Sequence, residues 1–221
     1  METQLDIKNQ ILDAALPRVP FKGWSDAVFN RAVTDVGVDM VTVQSFYPKG
    51  ALGLAVEYHR RGDKLMLDRL EEPDLSNWRF RDCVSIAVKF RLEAIDKKEI
   101  ARRSITLFSL PQNSLEGVRL VWETCDKILR TLGDTSNDTS WHTKRLILSS
   151  VYLTTLLYWI GDKSSDNMAT WDFLDRRIDN VMKIKKMKAK LRHSAISSRL
   201  MDAPNWMMSR LKAPRGFKNL N

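Results

Sequence analysis

The sequence has little cysteine and no apolar run long enough to cross a membrane. Its 221 residues include two cysteines, Cys83 and Cys125, and both fall on the apolar side of a helical pattern. Buried, reduced thiols are typical of a reducing compartment, and a disulfide framework is excluded. The uncharged run over residues 146–160 carries several Ser and Thr, and it is shorter than the roughly 20 apolar residues of a membrane span. We therefore expect no transmembrane helix.

Targeting signals are also missing from the first residues. The segment METQLDIKNQ has no basic stretch followed by an apolar run, and it is not the Arg-rich, acid-poor sequence of a transit peptide. We therefore expect a cytoplasmic protein in a bacterial context.

Motifs for catalysis and metal binding are absent as well. The sequence has no nucleophile elbow, no Glu-x-x-His pair and no Gly-rich phosphate loop. His59 and His193 have no evident partners, and His142 has no other His or Cys at metal-ligand spacing. The sequence predicts a protein that is not an enzyme and that uses neither a cofactor nor a metal.

Strand patterns are scarce, whereas helical spacing recurs along the chain. Residues 38–43 alternate, but a helix-turn-helix spacing around them overrides that pattern. The helix within 139–160 is apolar nearly all round, so we expect the rest of the domain to wrap it. A polar turn over 161–165 then leads into a helix with one apolar stripe, which includes Trp171 and Ile178. The sequence predicts an all-α fold of about nine or ten helices.

Charge and pattern together divide the chain into three regions. Residues 1–70 are expected to form a helix-turn-helix-like subdomain, residues 71–185 a second helical subdomain, and residues 186–221 a basic amphipathic tail. Residues 176–221 contain 13 Lys and Arg against 2 Asp and Glu, so the basic excess lies at this end. A basic segment with interfacial aromatic residues is typical of a helix on an anionic bilayer, although a solvated tail is the plainer alternative. We expect four tail residues to contact the membrane: Leu200, Trp206, Met207 and Leu211.

The helix-turn-helix spacing raises the question of DNA binding. Ser25 is placed to cap the first helix of the unit, and Gly37 to end it. The second helix opens with Asp39 and is mostly apolar, where a DNA-reading helix would carry basic residues. We therefore expect a scaffold that does not bind nucleic acid.

A polar segment, residues 134–138, precedes the apolar helix and is expected to be an exposed loop. Trp141 and His142 stand at the helix entrance. An aromatic residue beside charged ones on an exposed turn is typical of a protein-contact surface. The residues support a structural role equally well, in which Asp138 or Ser140 caps the helix and Trp141 packs on the core. Both interpretations stay open on the residues alone.

Several segments together resemble a known family. The N-terminal third, with ILDAAL, a Gly between two short helices and then FYPKG, resembles a TetR-type helix-turn-helix. Five longer segments carry a second resemblance: ALPRVPFKGWSDAV, FYPKGALGLAVEYH, SLPQN, LGDTSNDTSWHTKRLIL and TTLLYWIGDKSSDNMATWDFLDRRI. Through them the chain resembles, over about residues 5–185, the ubiquinone-biosynthesis accessory lipid-binding family with a TetR-like fold, the Coq nine family. The resemblance implies a TetR-like helical domain with an apolar lipid cavity. It also implies a C-terminal amphipathic helix on the membrane and support of the di-iron hydroxylase that modifies the quinone ring.

The resemblance assigns residues as well. Asp138, Trp141 and His142 match the family's hydroxylase-binding surface, with Arg145 close by, and His142 replaces the family's usual Tyr. Because TetR-like domains enclose a pocket between helices, four side chains are expected to line it: Phe108, Trp122, Leu148 and Tyr152.

The expected function is that of a non-enzymatic accessory protein, peripheral on the bacterial inner membrane. It would hold an isoprenoid quinone or a phospholipid and present a polyprenylated quinone intermediate to the di-iron hydroxylase. A homodimer is compatible with this function. A TetR-type transcriptional regulator with a hydrophobic inducer pocket is the alternative.

Overall fold

The computed structural model describes the backbone of residues 4–135 and 139–193, and the side chains of residues 4–135 and 141–183. The chain divides into two compact units, Met1–Ile178 and Asp179–Asn221. Seven residues named above lie outside the described side chains, namely Asp138, Ser140, His193, Leu200, Trp206, Met207 and Leu211.

The predicted all-α class is confirmed, since the described residues form ten α-helices and no strand. The helices are α1 (Gln4–Ala15), α2 (Val19–Lys22), α3 (Asp26–Val36), α4 (Met40–Phe46), α5 (Gly50–Glu71), α6 (Phe80–Glu93), α7 (Lys98–Phe108), α8 (Ser114–Thr131), α9 (Thr139–Gly161) and α10 (Met168–His193). Short 3-10 turns at Pro111–Asn113 and Ser165–Asn167 lead into α8 and α10. Within the part of the chain that the structure describes, no helix is both long enough and apolar enough to span a bilayer.

Local capping sets the bounds of the helix-turn-helix unit. The Ser25 side chain accepts a hydrogen bond from the Val28 backbone N–H at the start of α3. Gly37 then ends α3 with a φ of 75°, a left-handed conformation that glycine adopts without steric cost. Asp39 caps α4 by accepting from the Thr42 backbone N–H over 3.1 Å. The sequence signals at Ser25, Gly37 and Asp39 therefore act locally, as their residue types predict.

Helix α7 joins the N-terminal helices to the rest of the first unit. Ile100 is buried in the core cluster built mainly by α1, α3 and α5. The indole N–H of Trp24 donates to the Ser104 hydroxyl over 2.9 Å, and Arg103 Nε donates to the Pro20 carbonyl over 3.1 Å. Helix α7 thus packs into the core of the N-terminal helices, which includes the helix-turn-helix.

Helix α9 is buried along one face only. Leu148 and Tyr152 are buried against α7 and α8, whereas Leu146, Leu153 and Leu157 on the opposite side are 65%, 41% and 59% exposed. The expectation that the domain wraps this helix on all sides is therefore wrong for the described residues. An all-round apolar pattern reports only that a helix lacks a polar face, and it does not say which surface covers each side. The exposed leucines form an apolar stripe on the surface of the first unit.

The polar turn between α9 and α10 is fixed by side chains. The Asp162 carboxylate accepts from the backbone N–H of Thr170 over 2.9 Å and from its hydroxyl over 2.6 Å. The ammonium of Lys98 donates to the Asp162 carbonyl and to the Asn167 side-chain oxygen, over 2.5 and 2.6 Å. The start of α7 therefore holds the turn that sets the position of the first residues of α10.

Candidate functional site

A cavity of about 270 Å³ lies between helices α5 to α9. Val118 and Leu153 stand at its exposed mouth, while Arg91 and Tyr152 form a floor with almost no solvent exposure. The walls between mouth and floor are mainly apolar and include Ile95, Ala101, Ile105, Phe108, Val121 and Leu156. An apolar cavity with a few convergent polar groups is the usual form of a small-molecule site.

Charged groups from three helices meet behind the floor. The Asp63 carboxylate of α5 accepts from Arg91 Nε over 2.7 Å and from Lys127 Nζ over 2.8 Å. It also accepts from the Thr124 hydroxyl over 2.8 Å. Asp63 and Arg91 are 1% and 2% exposed. A buried ion pair of this kind is stable only because each charge compensates the other and is hydrogen-bonded. We call Asp63, Arg91, Thr124, Lys127 and His59 the floor cluster.

The cations of the floor cluster keep Asp63 ionised. Burial by itself would raise the pKa of Asp63, but the nearby charge of Arg91 and the contacts with Lys127 hold it below its ordinary value. Burial would likewise lower the pKa of Arg91, and Tyr152 and Asp63 instead keep it above its usual range. Because two cations face one carboxylate, the floor cluster carries net positive charge.

His59 contributes no charge to the cluster at neutral pH. Burial first, and then the positive charge of Arg91, lower the pKa of His59 to about 3. Its Nε2 lies 2.9 Å from the Thr124 hydroxyl oxygen. Since the Thr124 hydroxyl donates its proton to Asp63 or to the Leu120 carbonyl, we assign the hydrogen of the neutral ring to Nε2 of His59.

Two of the four predicted lipid-contact residues line this cavity. Phe108 and Tyr152 are part of its lining, as the resemblance implied. Leu148 is buried but does not reach the cavity, and Trp122 points to another surface. Trp122 lies on a side of α8 that faces Trp141. Leu148 shares the buried face of Tyr152 but lies one turn nearer the start of α9, beyond the end of the cavity.

Trp122 instead joins the aromatic residues at the entrance of α9. Its ring centroid lies 5.7 Å from that of Trp141, and the Trp141 and His142 rings are 4.6 Å apart in an edge-to-face arrangement. Trp141 is half-buried and His142 is exposed. We call Trp122, Trp141 and His142 the aromatic patch.

Arg145 lies beneath the aromatic patch and has no exposure at all. Its guanidinium packs 3.9 Å from the centre of the Trp141 ring and donates to the Trp141 carbonyl. It also donates to Asp126 over 2.6 Å and to Asp134 over 3.1 Å. The expectation that Arg145 itself contacts a partner is therefore corrected: a fully buried guanidinium supports Trp141 from below.

Asp134 also departs from the expected exposed loop. Its side chain is 4% exposed and accepts from Lys144 over 2.6 Å as well as from Arg145. One polar residue of this segment, Asp134, thus forms buried ion pairs, which the composition of the segment alone does not reveal. Among the described residues there is no cluster of His, Cys, Asp and Glu that could hold a metal ion.

These features define an all-α domain of TetR-like fold with an apolar cavity and a separate aromatic patch. The fold is shared with a solved structure, described as the TetR transcriptional regulator from Nitrosomonas europaea, at a TM-score of 0.64. That alignment covers 78% of this chain and 96% of the other at 18% identity, so it supports the fold alone.

The family resemblance is also confirmed. The COQ9 family model matches residues 115–185. The chain is 28% identical to the ubiquinone biosynthesis protein COQ9, mitochondrial, of Drosophila melanogaster, over 82% of this chain and 57% of that protein. It is 28% identical to the probable ubiquinone biosynthesis protein coq9, mitochondrial, of Dictyostelium discoideum, over 83% and 62% of the two chains. The human COQ9 protein is 25% identical over 82% of this chain and 59% of its own length.

The comparisons correct the expected localisation. The relatives from Drosophila, Dictyostelium and human are all named mitochondrial, so the expected bacterial cytoplasm and inner membrane are wrong. That expectation rested on the composition of the first residues. The chain spans only 57% and 62% of the first two relatives, and its first residues therefore carry no information on targeting.

Proposed function

We propose that this chain is a non-catalytic, lipid-binding accessory protein of mitochondrial ubiquinone biosynthesis. The apolar cavity with its buried polar floor carries the proposal, because it has the form of a site for a mostly apolar ligand. The names of the COQ9 relatives support the pathway and the compartment. In this role the cavity holds a polyprenylated quinone intermediate or another isoprenoid lipid.

Lipid occupancy of the cavity is tested by purification without added detergent, solvent extraction and mass spectrometry. We expect an isoprenoid lipid at about one molecule per chain. Ile105→Trp, which fills the cavity from α7, should reduce the recovered lipid at least tenfold, since the added ring takes the ligand's space. Thr106→Trp on the exposed side of the same helix is the matched control and should leave the lipid unchanged. Equal lipid recovery from both variants would count against the cavity as the site.

The aromatic patch is the proposed docking surface for the di-iron quinone hydroxylase. The family resemblance supplies the partner, and the half-buried Trp141 beside the exposed His142 has the form of an interface anchor. Asp138 belongs to the same proposal. Arg145 serves as a support for Trp141, because its ion pairs with Asp126 and Asp134 hold the guanidinium against the underside of the ring.

A pull-down with the hydroxylase tests the docking surface. His142→Ala should weaken binding about tenfold without altering the melting temperature, because its side chain is exposed and a hot-spot truncation typically costs ~1–2 kcal/mol or more. Asp138→Lys should act in the same direction, and Asp68→Lys on the exposed surface of α5 is the matched charge-reversal control. If both altered patch proteins bind the hydroxylase like the unaltered chain, the docking surface lies elsewhere.

Membrane association is the third part of the proposal. The 13 basic residues within 176–221, with Leu200, Trp206, Met207 and Leu211, support a segment that binds anionic lipid. A transcriptional role receives no such support, since α4 (Met40–Phe46) has no Lys or Arg to contact phosphate groups.

A further inference from the structure

Two polar groups at the cavity floor have no hydrogen-bond partner among the described residues. Tyr152 is 1% exposed and lines the cavity, yet its hydroxyl takes part in none of the hydrogen bonds of the described residues. Arg91 uses Nε for Asp63 and Nη2 for the His59 carbonyl, and its Nη1 has no acceptor in this part of the chain. Both atoms keep a small accessible surface, so an acceptor that enters the cavity can reach and satisfy them.

The charge of the floor says what kind of acceptor fits. Asp63 already binds Arg91, Lys127 and Thr124, and His59 is neutral, so the floor cluster stays net positive. An electron-rich oxygen, such as a carbonyl or a phenolate, complements that charge and accepts from both Arg91 and Tyr152. The walls above the floor are apolar, so the rest of the ligand must be apolar too.

We propose that Arg91 and Tyr152 bind a ring oxygen of a prenylated quinone or phenol, which enters the cavity ring-first. The aromatic side chains of Tyr58, Phe108 and Tyr152 lie around the same space and suit a planar ring. The isoprenoid chain then runs towards the mouth at Val118 and Leu153. This inference rests on the proposed lipid binding and adds to it the recognised group and the orientation of the ligand.

Tyr152→Phe is the informative variant because it removes only the hydroxyl that lacks a partner. Its fold should be intact, since no hydrogen bond of the described residues is lost. Calorimetry with the full chain compares three probes: a benzoquinone with two isoprene units, the hydrocarbon farnesene, and palmitate. We expect Tyr152→Phe to weaken quinone binding about tenfold and to leave farnesene binding unchanged.

Tyr58→Phe is the matched control in the same cavity. The Tyr58 hydroxyl is already committed to the Asp96 carboxylate over 3.2 Å, so its removal should change quinone affinity less than twofold. Equal losses from both tyrosine variants, or no loss from Tyr152→Phe, would overturn the inference while leaving lipid binding in place.

The remaining probes separate the two proposals. If palmitate binds more tightly than the quinone and is the probe that depends on Tyr152, the site recognises a carboxylate and the ring assignment is wrong. If none of the three probes binds the unaltered chain, the proposed lipid binding fails, and the orientation fails with it.

Discussion

The guanidinium of Arg91 lies against the backbone of Gly62, so closely that a methyl group on Gly62 would stand 2.7 Å from Nη1 and 2.9 Å from Cζ. Arg91 cannot move aside cheaply, because Asp63 and the His59 carbonyl hold its other nitrogens at 2.7 and 3.0 Å. A glycine inside α5 is thus required by a side chain of α6.

Gly62→Ala should therefore destabilise the protein, although Ala is about 1 kcal/mol better than Gly inside an ordinary helix. We expect a loss of roughly 2–4 kcal/mol in urea unfolding, since the clash breaks a buried ion pair. Gly161→Ala is the matched control: a Cβ there meets nothing within 4 Å, and that variant should be neutral or slightly stabilising. A stabilised Gly62→Ala protein would show that Arg91 is not fixed over α5.

Acid should weaken the protein through His59. Its pKa is about 3 in the folded chain and 6.5 when unperturbed, so between these values the unfolded chain binds the proton and the native chain does not. Neutral His59 therefore makes its full contribution to the free energy of unfolding above pH 6.5. That free energy falls as the pH is lowered, by on the order of 2 kcal/mol near pH 4.5. Urea titrations at pH 7 and 4.5 measure the difference. His59→Gln should remove that part of the pH dependence, and an unchanged dependence would contradict the assignment.

The buried ion pair under the aromatic patch can be tested against an exposed one that shares a carboxylate. Arg145→Met leaves Asp126 and the buried Asp134 without this partner, and it should cost about 3–5 kcal/mol. Arg130 pairs with the same Asp126 over 2.7 Å but is 66% exposed, so Arg130→Met should cost less than 1 kcal/mol. Thermal or urea unfolding of the two variants distinguishes them, and similar costs would mean that Arg145 does not support Trp141 through a buried ion pair.

Removal of residues 186–221 should abolish sedimentation with anionic liposomes. This segment holds most of the basic residues of the C-terminal end together with Trp206 and Met207. Near an anionic surface each Lys or Arg contributes about 1 kcal/mol, and this attraction weakens with salt. The shortened chain should melt like the full one, because the first compact unit ends at Ile178. Undiminished liposome binding by the shortened chain would refute the membrane role of the tail.

Local signals in the sequence were sufficient for the helices and for their ends. Ser25 and Gly37 act within a few residues of their own positions, and so their effects could be predicted without a fold. The cavity floor could not be found in this way. Asp63, Arg91 and Lys127 come from three helices, and in a helical pattern each is taken for a surface charge. Only the packing of α5, α6 and α8 turns them into one cluster.

The same limit applies to Leu148 and Trp122, which do not line the cavity. Apolar periodicity shows that Leu148 faces inward and that Trp122 needs cover, but several inward directions exist in a helical bundle. Whether a side chain meets the cavity or another helix depends on the rotation of its helix and on its position along the helix axis, and the sequence pattern fixes neither.

The contacts of α7 give the helix-turn-helix a structural role in a chain whose α4 has no basic residue. Ile100 completes the core between α1, α3 and α5, and Trp24 and Pro20 are tied to Ser104 and Arg103. Loss of the first four helices would strip one side of α7, whose other side forms a wall of the cavity. Substitutions on the surface of α4 leave this packing intact, whereas deletion of the helix-turn-helix would remove the support of a cavity wall.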